Sequence, residues 1–294
     1  MLPTVRMAAL QFRAAVIAPL RRQRLHRLAA NGQAPPMVAF YHRVADKHPN
    51  RWTIGTKQFD RHLDHFQRHF DAIDLAEVQR RVVGGHSDRP SISVTFDDGY
   101  AENGRHALPE LLRRRIPVTY FVSTSNVSHN RAFTHDLVAG RPLPVHSKSS
   151  LRMWSDAGVE IGGHTRNHVN LAGATDRQFL IDQIIDDRKR LQDIIGRDVR
   201  FFAFPFGMPA QMHAHAIEAV ARAGYRGYCS AFGGYNQIGG DAFHIRRFHG
   251  DPAFGRLINW LSLDQSKMQR QPQLDFVRPN QWISPDLSAL IQPT

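Results

Sequence analysis

Two short segments of this 294-residue chain carry side chains that are able to hold a metal ion and to use it. The first ends an apolar run with two adjacent carboxylates, Asp97 and Asp98, followed by a glycine. The second places two imidazoles, His164 and His168, four residues apart. One carboxylate and two histidines form a set of three protein ligands that leaves one metal position open for water. The second carboxylate is placed to take a proton from that water, so the pattern predicts metal-assisted hydrolysis.

Each segment also has a plainer interpretation. Asp and Gly are common turn residues, and with 17 histidines in the chain two can be neighbours without a function. At a spacing of four, His164 and His168 would share one face if their segment is helical. A metalloprotease helix is disfavoured because it requires Glu where Thr165 stands. Two histidines and one carboxylate also bind the metal of mononuclear iron oxygenases, so such an enzyme is an alternative. Asp97 would have no evident role in that reaction.

The elements that must position these residues alternate between apolar runs and helical patterns. Strands are predicted at Met37–Tyr41, Ser91–Thr95, Pro117–Val122, Val159–Ile161, Phe201–Phe204, Gly227–Ser230 and His244–Phe248. The alternation indicates an α/β fold with a parallel sheet or barrel, whose ligands bind at the carboxyl ends of the strands. Several polar or turn residues directly follow a predicted strand and are therefore expected on one rim: Asp97, Asp98, His164, Pro205 and His249. Residues 129–150 lack clear periodicity and are predicted to form a long loop.

Composition limits the classes of partner. The chain has 38 Lys and Arg residues against 26 Asp and Glu residues, a net charge of +12 that favours anionic surroundings. Nucleic acid is not expected as a partner, because no nucleic-acid-binding motif is recognisable. Cys229 is the only cysteine, which excludes an intrachain disulfide and a cysteine-based zinc site. Its small and aromatic neighbours predict buried packing.

The two ends of the chain differ in composition from the middle. Residues 1–34 are rich in arginine and leucine with no acidic residue, which predicts a helical segment that either lies on an anionic membrane surface or packs on the outside of the domain. Arg13 and Pro19 interrupt its apolar part, so a cleavable signal is not expected, and a cytoplasmic or peripheral membrane location is favoured. Residues 35–263 are expected to form the single compact domain. Residues 264–294 are polar and rich in proline and are predicted to be a tail.

From Val38 to Phe248 the chain resembles the polysaccharide deacetylase family, the carbohydrate esterases that share a chitooligosaccharide-deacetylase homology domain. The resemblance rests on the Thr-Phe-Asp-Asp-Gly motif at residues 95–99 and the His-Thr-x-x-His motif at residues 164–168. It implies a distorted (β/α)7 barrel and a divalent metal, most often Zn²⁺. By the matching positions Asp98, His164 and His168 would hold the metal, and Asp97 would be the general base.

The remaining motifs of the family match less completely. A Pro-aromatic-Gly ending at residues 205–207 implies that the backbone N–H of Phe206 helps to hold a developing oxyanion. Ala203 stands where many members have an arginine that steadies the base, and Arg200 or Arg246 is expected to replace it. The fourth motif is not recognisable. His249 is the candidate for the family's histidine acid, with Asp251 as the residue that orients it.

These residues predict a metal-dependent hydrolase that removes acetyl groups from N-acetylated or O-acetylated sugars of a polysaccharide. The opening segment Tyr41–Val44 also looks like the start of such domains, and His42 is expected to face the site without an assigned role. Because the fourth motif and the motif arginine are missing, a catalytically weak domain that binds a glycan or a membrane is the alternative within the same fold. The sequence does not identify the glycan.

Overall fold

A computed structural model describes residues 2–272 and 274 of the chain, with side chains described from residue 16 onward. Its strands are β1 (Met37–Tyr41), β2 (Arg43–Val44), β3 (Thr53–Ile54), β4 (Asp71–Ala72), β5 (Ser91–Phe96), β6 (Val118–Val122), β7 (Glu160–Gly163), β8 (Phe201–Ala203), β9 (Gly227–Cys229), β10 (His244–Ile245) and β11 (Phe248–His249). The predicted strands therefore all exist, except that the run predicted at His244–Phe248 is split into two short strands.

The main sheet runs in the order β10-β9-β8-β7-β6-β5-β1-β11, with β4 beside β5, and its neighbouring strands are parallel. Strands β10 and β11 lie at opposite ends of this order, yet only Arg246 and Arg247 separate them in the chain. That link joins the two edges of the curled sheet. Strands β10 and β11 together therefore act as the seventh strand of the barrel, and β1 and β5–β9 are the other six. The fold is the expected distorted (β/α)7 barrel.

The helices connect successive strands on the outside of the sheet. They are α1 (Leu2–Ala30), α2 (Thr56–His69), α3 (Leu75–Val83), α4 (Ala107–Arg113), α5 (Thr124–His129), α6 (Thr134–Val138), α7 (Lys148–Asp156), α8 (Arg177–Leu180), α9 (Asp186–Ile195), α10 (Ala214–Arg222), α11 (Phe254–Leu261) and α12 (Gln265–Gln269). A π-helical turn, Ile181–Ile185, joins α8 to α9. The long loop predicted over residues 129–150 is wrong in part, because α6 and the start of α7 lie within it.

The central strands are apolar along their whole length because both of their faces are covered. All residues of β1, β5 and β6 are buried. Side chains that point inward from different strands, including Val38, Phe121 and Cys229, meet in a small cluster inside the barrel. The larger cluster lies between the strands and the helices. Cys229 is buried and free, as the sequence predicts.

Helix α1 packs against α11 on the outside of the barrel. In its described half Ala18, Leu25 and Ala29 are buried, whereas Leu20 remains 66% exposed. Arg21 forms an ion pair with Asp264 at 3.2 Å. Residues 16–30 of the N-terminal segment therefore pack on the outside of the domain, which is one of the two arrangements predicted for it. Among the described residues, no helix combines the length and apolarity that a membrane span requires. Most of the predicted C-terminal tail, from residue 275 on, lies outside the described residues.

Candidate metal-binding and catalytic site

The site lies where adjacent parallel strands end. Asp97 and Asp98 follow β5, and His164 follows β7, with β6 between the two strands. At Asp98 the backbone turns into the left-handed region (φ +75°), and Gly99 continues the turn (φ +88°). Such a conformation costs free energy in a residue other than glycine, and it is tolerated mainly where function requires it. The turn lets two adjacent carboxylates point to different partners.

Three side chains converge as a candidate metal site. The Oδ1 atom of Asp98 lies 3.2 Å from Nε2 of His168 and 3.6 Å from Nε2 of His164. One ligand atom from each residue falls within 4.8 Å of the others. Asp98 and His164 are buried, and His168 keeps a side-chain exposure of 14% toward the cavity. The structure brings the three predicted ligands together.

The surroundings of these ligands fit a divalent cation. Asp98 Oδ1 is buried and makes no hydrogen bond, a costly state unless a cation satisfies it. His164 donates from Nδ1 to the carbonyl of Ala203 at 2.7 Å, so that in the neutral imidazole Nε2, which lies 3.6 Å from Asp98 Oδ1, is the nitrogen with a free lone pair. Ser123 Oγ donates to the carbonyl of His164 at 2.9 Å. Metal-binding histidines are typically oriented by such outer hydrogen bonds.

The two histidines reach this position without a helix. Residues 164–168 form an irregular loop, with left-handed backbone at Thr165 (φ +57°) and His168 (φ +52°). The condition for a shared helix face, a helical segment, is therefore not met. Glycines precede the loop because there is no room for a side chain. A Cβ on Gly162 would lie 2.4 Å from the Phe121 ring, and one on Gly163 would lie 2.3 Å from the Tyr225 hydroxyl.

Asp97 is held by an arginine that the sequence analysis missed. Arg247 donates from Nη1 to Oδ1 at 2.7 Å and from Nη2 to Oδ2 at 2.9 Å. The same guanidinium donates to Thr95 Oγ1 and to the carbonyl of Ser230, and its side chain is fully buried. Burial is the largest influence on Asp97 and opposes its ionisation, but the charge and hydrogen bonds of Arg247, together with the nearby His164 and His42, hold the pKa of Asp97 below its usual value.

The two arginines proposed from the sequence lie elsewhere. Arg200 donates from Nε to Glu160 at 2.7 Å, outside the site. The Arg246 side chain lies beside Gly234 and near the charge of Asp241, on the other face of the extended chain from its neighbour Arg247. The sequence did contain an indication that Arg247 points into the barrel. Side chains alternate along a strand, so Arg247 shares a face with Ile245, which belongs to the cluster inside the barrel.

His42 and His249 lie side by side at the edge of the site. His42 lines the cavity, stacks on Trp52 with ring centres 4.7 Å apart, and has a buried Nδ1 without a hydrogen bond. His249 packs behind it, with its ring 6.3 Å from His42 and 5.3 Å from Phe40. Burial lowers the pKa of both imidazoles, that of His249 to about 4.

The Asp251 carboxylate accepts no hydrogen bond from the His249 ring in the described part of the chain. That carboxylate accepts from the backbone N–H of Ala253 at 2.8 Å and from Arg256 Nη1 at 3.1 Å. The Asp251 carboxylate instead stabilises the turn that precedes α11, and the hydrogen bond between Asp251 and His249 joins the backbone N–H of Asp251 to the carbonyl of His249 at 2.8 Å.

An open cavity of about 750 Å³ covers the three candidate ligands and Asp97. Trp52, Phe133 and Phe206 add aromatic faces to its wall. Phe206 is 56% exposed, has a left-handed backbone (φ +63°), and places its ring 5.5 Å from that of His168. Such a cavity offers carbon-rich faces for sugar rings beside a small polar centre.

A family model matches the part of the chain that contains Asp97, Asp98, His164 and His168. Residues 84–228 match the family model described as Polysaccharide deacetylase. Among curated proteins, “Putative polysaccharide deacetylase YxkH” of Bacillus subtilis is 20% identical over 193 residues. That match covers 64% of this chain and 62% of the relative, so part of the relative's length has no counterpart here.

Solved structures share the fold. IcaB from Ammonifex degensii superimposes with a TM-score of 0.67 at 23% identity, covering 78% of this chain and 97% of IcaB. The Streptococcus pyogenes deacetylase PplD, solved in complex with acetate, gives a TM-score of 0.63 at 16% identity, covering 76% of this chain and 97% of PplD. At these identities the likeness establishes the architecture, the distorted barrel.

Proposed function

We propose, from the match of residues 84–228 to the polysaccharide deacetylase family, that this chain is a metal-dependent hydrolase that removes acetyl groups from the sugars of a polysaccharide. Water would be added across the acetyl–nitrogen or acetyl–oxygen bond, releasing acetate and a free amine or hydroxyl. The observation that carries the proposal is the buried, unsatisfied Oδ1 of Asp98 beside the Nε2 atoms of His164 and His168, next to the ion pair of Asp97 with Arg247.

Asp98, His164 and His168 would hold the metal. One carboxylate oxygen and two imidazole nitrogens suit Zn²⁺, with a position left for water or substrate. When bound, such a cation supplies Lewis acidity and lowers the pKa of its water. The protein's contribution is preorganisation, since the bond from His164 Nδ1 to Ala203 fixes the tautomer before any ligand arrives.

Asp97 would act as the general base. Arg247 keeps its carboxylate ionised and in one orientation, so that an oxygen is available to accept a proton from the attacking water. A positioned base typically contributes about 10²- to 10⁴-fold to the rate. The backbone N–H of Phe206 would donate to the developing oxyanion, a fixed dipole that needs no reorganisation during the reaction.

The proton donor to the leaving group would be an imidazole at the edge of the cavity. The family resemblance in the sequence favours His249 as this donor. The geometry favours His42 for direct contact, because His42 lines the cavity and its Nδ1 has no partner, while His249 supports it from behind. We therefore propose His42 as the donor and His249 as its positioning neighbour.

The direct test is acetate release from N-acetylglucosamine oligomers after metal removal with EDTA and reconstitution with single divalent metals. Activity should return with metal, persist without oxygen, and be lost in Asp97→Asn while bound metal is retained. Oxygen-dependent turnover would instead support the iron oxygenase alternative. Glycan binding without acetate release by metal-loaded wild-type protein would support the catalytically weak domain.

For the N-terminal segment we propose a peripheral contact with an anionic membrane surface on the cytoplasmic side. Supporting it are the absence of acidic residues in α1 and the exposure of Leu20 and of Val16 at 53%. Cosedimentation with vesicles of phosphatidylglycerol, compared with phosphatidylcholine vesicles, tests it. Equal partitioning of the full chain to both would refute the contact.

A further inference from the structure

A second depression continues the active-site cavity. It has a volume of about 430 Å³ and shares Arg51, Trp52 and His135 with the wall of the main cavity. The two together form a groove that extends past Trp52, away from the candidate metal site. A groove of this length can hold sugars on one side of the unit that reacts.

Three arginines line this groove. Arg51 borders both cavities, Arg131 borders the main cavity, and Arg141 borders the second one. All three are exposed, and the Arg51 guanidinium lies 4.8 Å from the centre of the Trp52 ring. They therefore present positive charge along the path that a glycan would follow.

The charges of these three arginines are not neutralised by a carboxylate partner in the described part of the chain. Within residues 16–272, whose side chains are described, none of the three forms an ion pair, whereas Arg43, Arg114 and Arg188 are each paired with an acidic residue. Asp136 also borders the second cavity, but it is buried and accepts hydrogen bonds from Tyr100 at 2.8 Å and from Asn50 at 3.4 Å.

The catalytic carboxylates do not neutralise the groove either. Arg247 already balances Asp97. Asp98 faces the candidate metal site, where a divalent cation would more than offset its charge. Guanidinium groups bind carboxylates and phosphates through paired hydrogen bonds, and they do so more strongly where bulk water is partly excluded.

We propose that this groove selects an anionic glycan, in which sugars next to the acetylated unit carry a carboxylate or a phosphate that Arg51, Arg131 and Arg141 bind. The inference rests on the proposed function and narrows its substrate class. Carboxylate and phosphate share the chemistry that these arginines recognise, so the test contains a separate arm for each.

Binding is measured in the metal-loaded Asp97→Asn chain, which prevents turnover. The probes are a chitin hexasaccharide, which is neutral, a hyaluronan hexasaccharide with alternating glucuronates, and a short polymer of N-acetylglucosamine 1-phosphate. We expect one of the anionic probes to bind roughly 10-fold more tightly than the neutral one at about 50 mM salt. The preference should fade toward about 500 mM salt, where charges are screened over a few ångströms.

The arginine variant is R51Q/R131Q/R141Q. Its control is R68Q/R89Q/R115Q, which removes the same charge from exposed positions near the amino ends of β4, β5 and β6. The groove variant should lose the preference and leave binding of the chitin oligomer within about twofold, and the control should keep the preference. Equal affinities for neutral and anionic probes, equal losses in both variants, or no binding of any probe would each overturn the inference.

Acetate release from the same probes is measured with protein that retains Asp97, with and without the groove substitutions. This measurement tests the proposed function separately from the anionic groove. Arginine-dependent binding without acetate from any probe would refute the proposed activity and leave the anionic groove standing. Acetate from the chitin oligomer at the same kcat/KM as from both anionic probes would refute the anionic groove alone.

Discussion

The ion pair of Arg247 with Asp97 offers the sharpest perturbation. Both oxygens of Asp97 accept from a guanidinium that is fully buried, at 2.7 and 2.9 Å. Arg247→Met keeps the length of the side chain but leaves a buried carboxylate without its counter-charge. Breaking a buried pair in this way costs about 3–5 kcal/mol. Since domains are stable by about 5–15 kcal/mol, urea unfolding should show a large loss with a measurable folded state.

Activity should change in a way that a merely structural defect would not produce. In wild-type protein burial opposes the ionisation of Asp97, and Arg247 makes the largest contribution among the neighbours that together lower the pKa, so without Arg247 the pKa of Asp97 rises. The acid limb of kcat/KM should therefore move to higher pH. Because the folded-state pKa would then exceed the unfolded value, the stability deficit of the variant should grow as pH rises above about 4.

A double variant isolates the uncompensated charge. Arg247→Met with Asp97→Asn removes both charges of this pair, so it should recover most of the stability lost in Arg247→Met alone. It should stay inactive, since the base is missing. A double variant as unstable as the sum of the two single variants would contradict the reasoning.

Arg200→Met is the matched control, because it breaks a pair with Glu160 that lies outside the site. Its acid limb should coincide with that of wild-type protein. The account is refuted if Arg247→Met retains the wild-type pH profile and rate, or if Arg200→Met shifts the profile as much as Arg247→Met does.

Two further predictions concern buried titratable groups. His42→Ala should reduce acetate release from N-acetylglucosamine oligomers far more than hydrolysis of 4-nitrophenyl acetate, because the leaving group of that ester needs no proton. His249→Ala should show a smaller effect of the same kind. Equal losses on both substrates in His42→Ala would exclude His42 as the proton donor. Burial raises the pKa of Asp187 to about 7 despite a hydrogen bond from Thr124, so the folded chain retains a proton there that the unfolded chain loses above about pH 4. The protonated Asp187 carboxyl costs no stability below about pH 4, but the free energy of unfolding falls by up to roughly 4 kcal/mol as pH rises to about 7. Asp187→Asn should therefore be more stable than wild-type protein at pH 8 and similar to it at pH 4. Urea unfolding that finds the same stability difference between the two proteins at both pH values would contradict this.

The sequence predicted the strands and the residues at their carboxyl ends because these depend on local patterns. Buried strands read as apolar runs, and parallel strands bring their ends to one rim, so Asp98 and His164 were expected to meet. The backbone path between His164 and His168 stayed open, since spacing alone does not distinguish a helix face from two left-handed turns.

Arg247 was missed for a reason of topology. It lies in the two-residue link between β10 and β11, which pair at opposite edges of the sheet, and only closure of the barrel carries it across to Asp97. Residues 131–141 were expected to be loop, and their contribution to the groove depends on the placement of α6, which no periodicity in the sequence indicated.

The most direct test of the account is a calorimetric titration of EDTA-treated protein with Zn²⁺, followed by elemental analysis. Wild-type chain should bind one equivalent, and Asp98→Asn, which retains the volume and tolerates the left-handed backbone, should lose more than about 100-fold in affinity together with acetate release. His249→Ala should bind the metal as wild-type chain does. Unchanged zinc affinity in Asp98→Asn would contradict the claim that Asp98, His164 and His168 form a metal site.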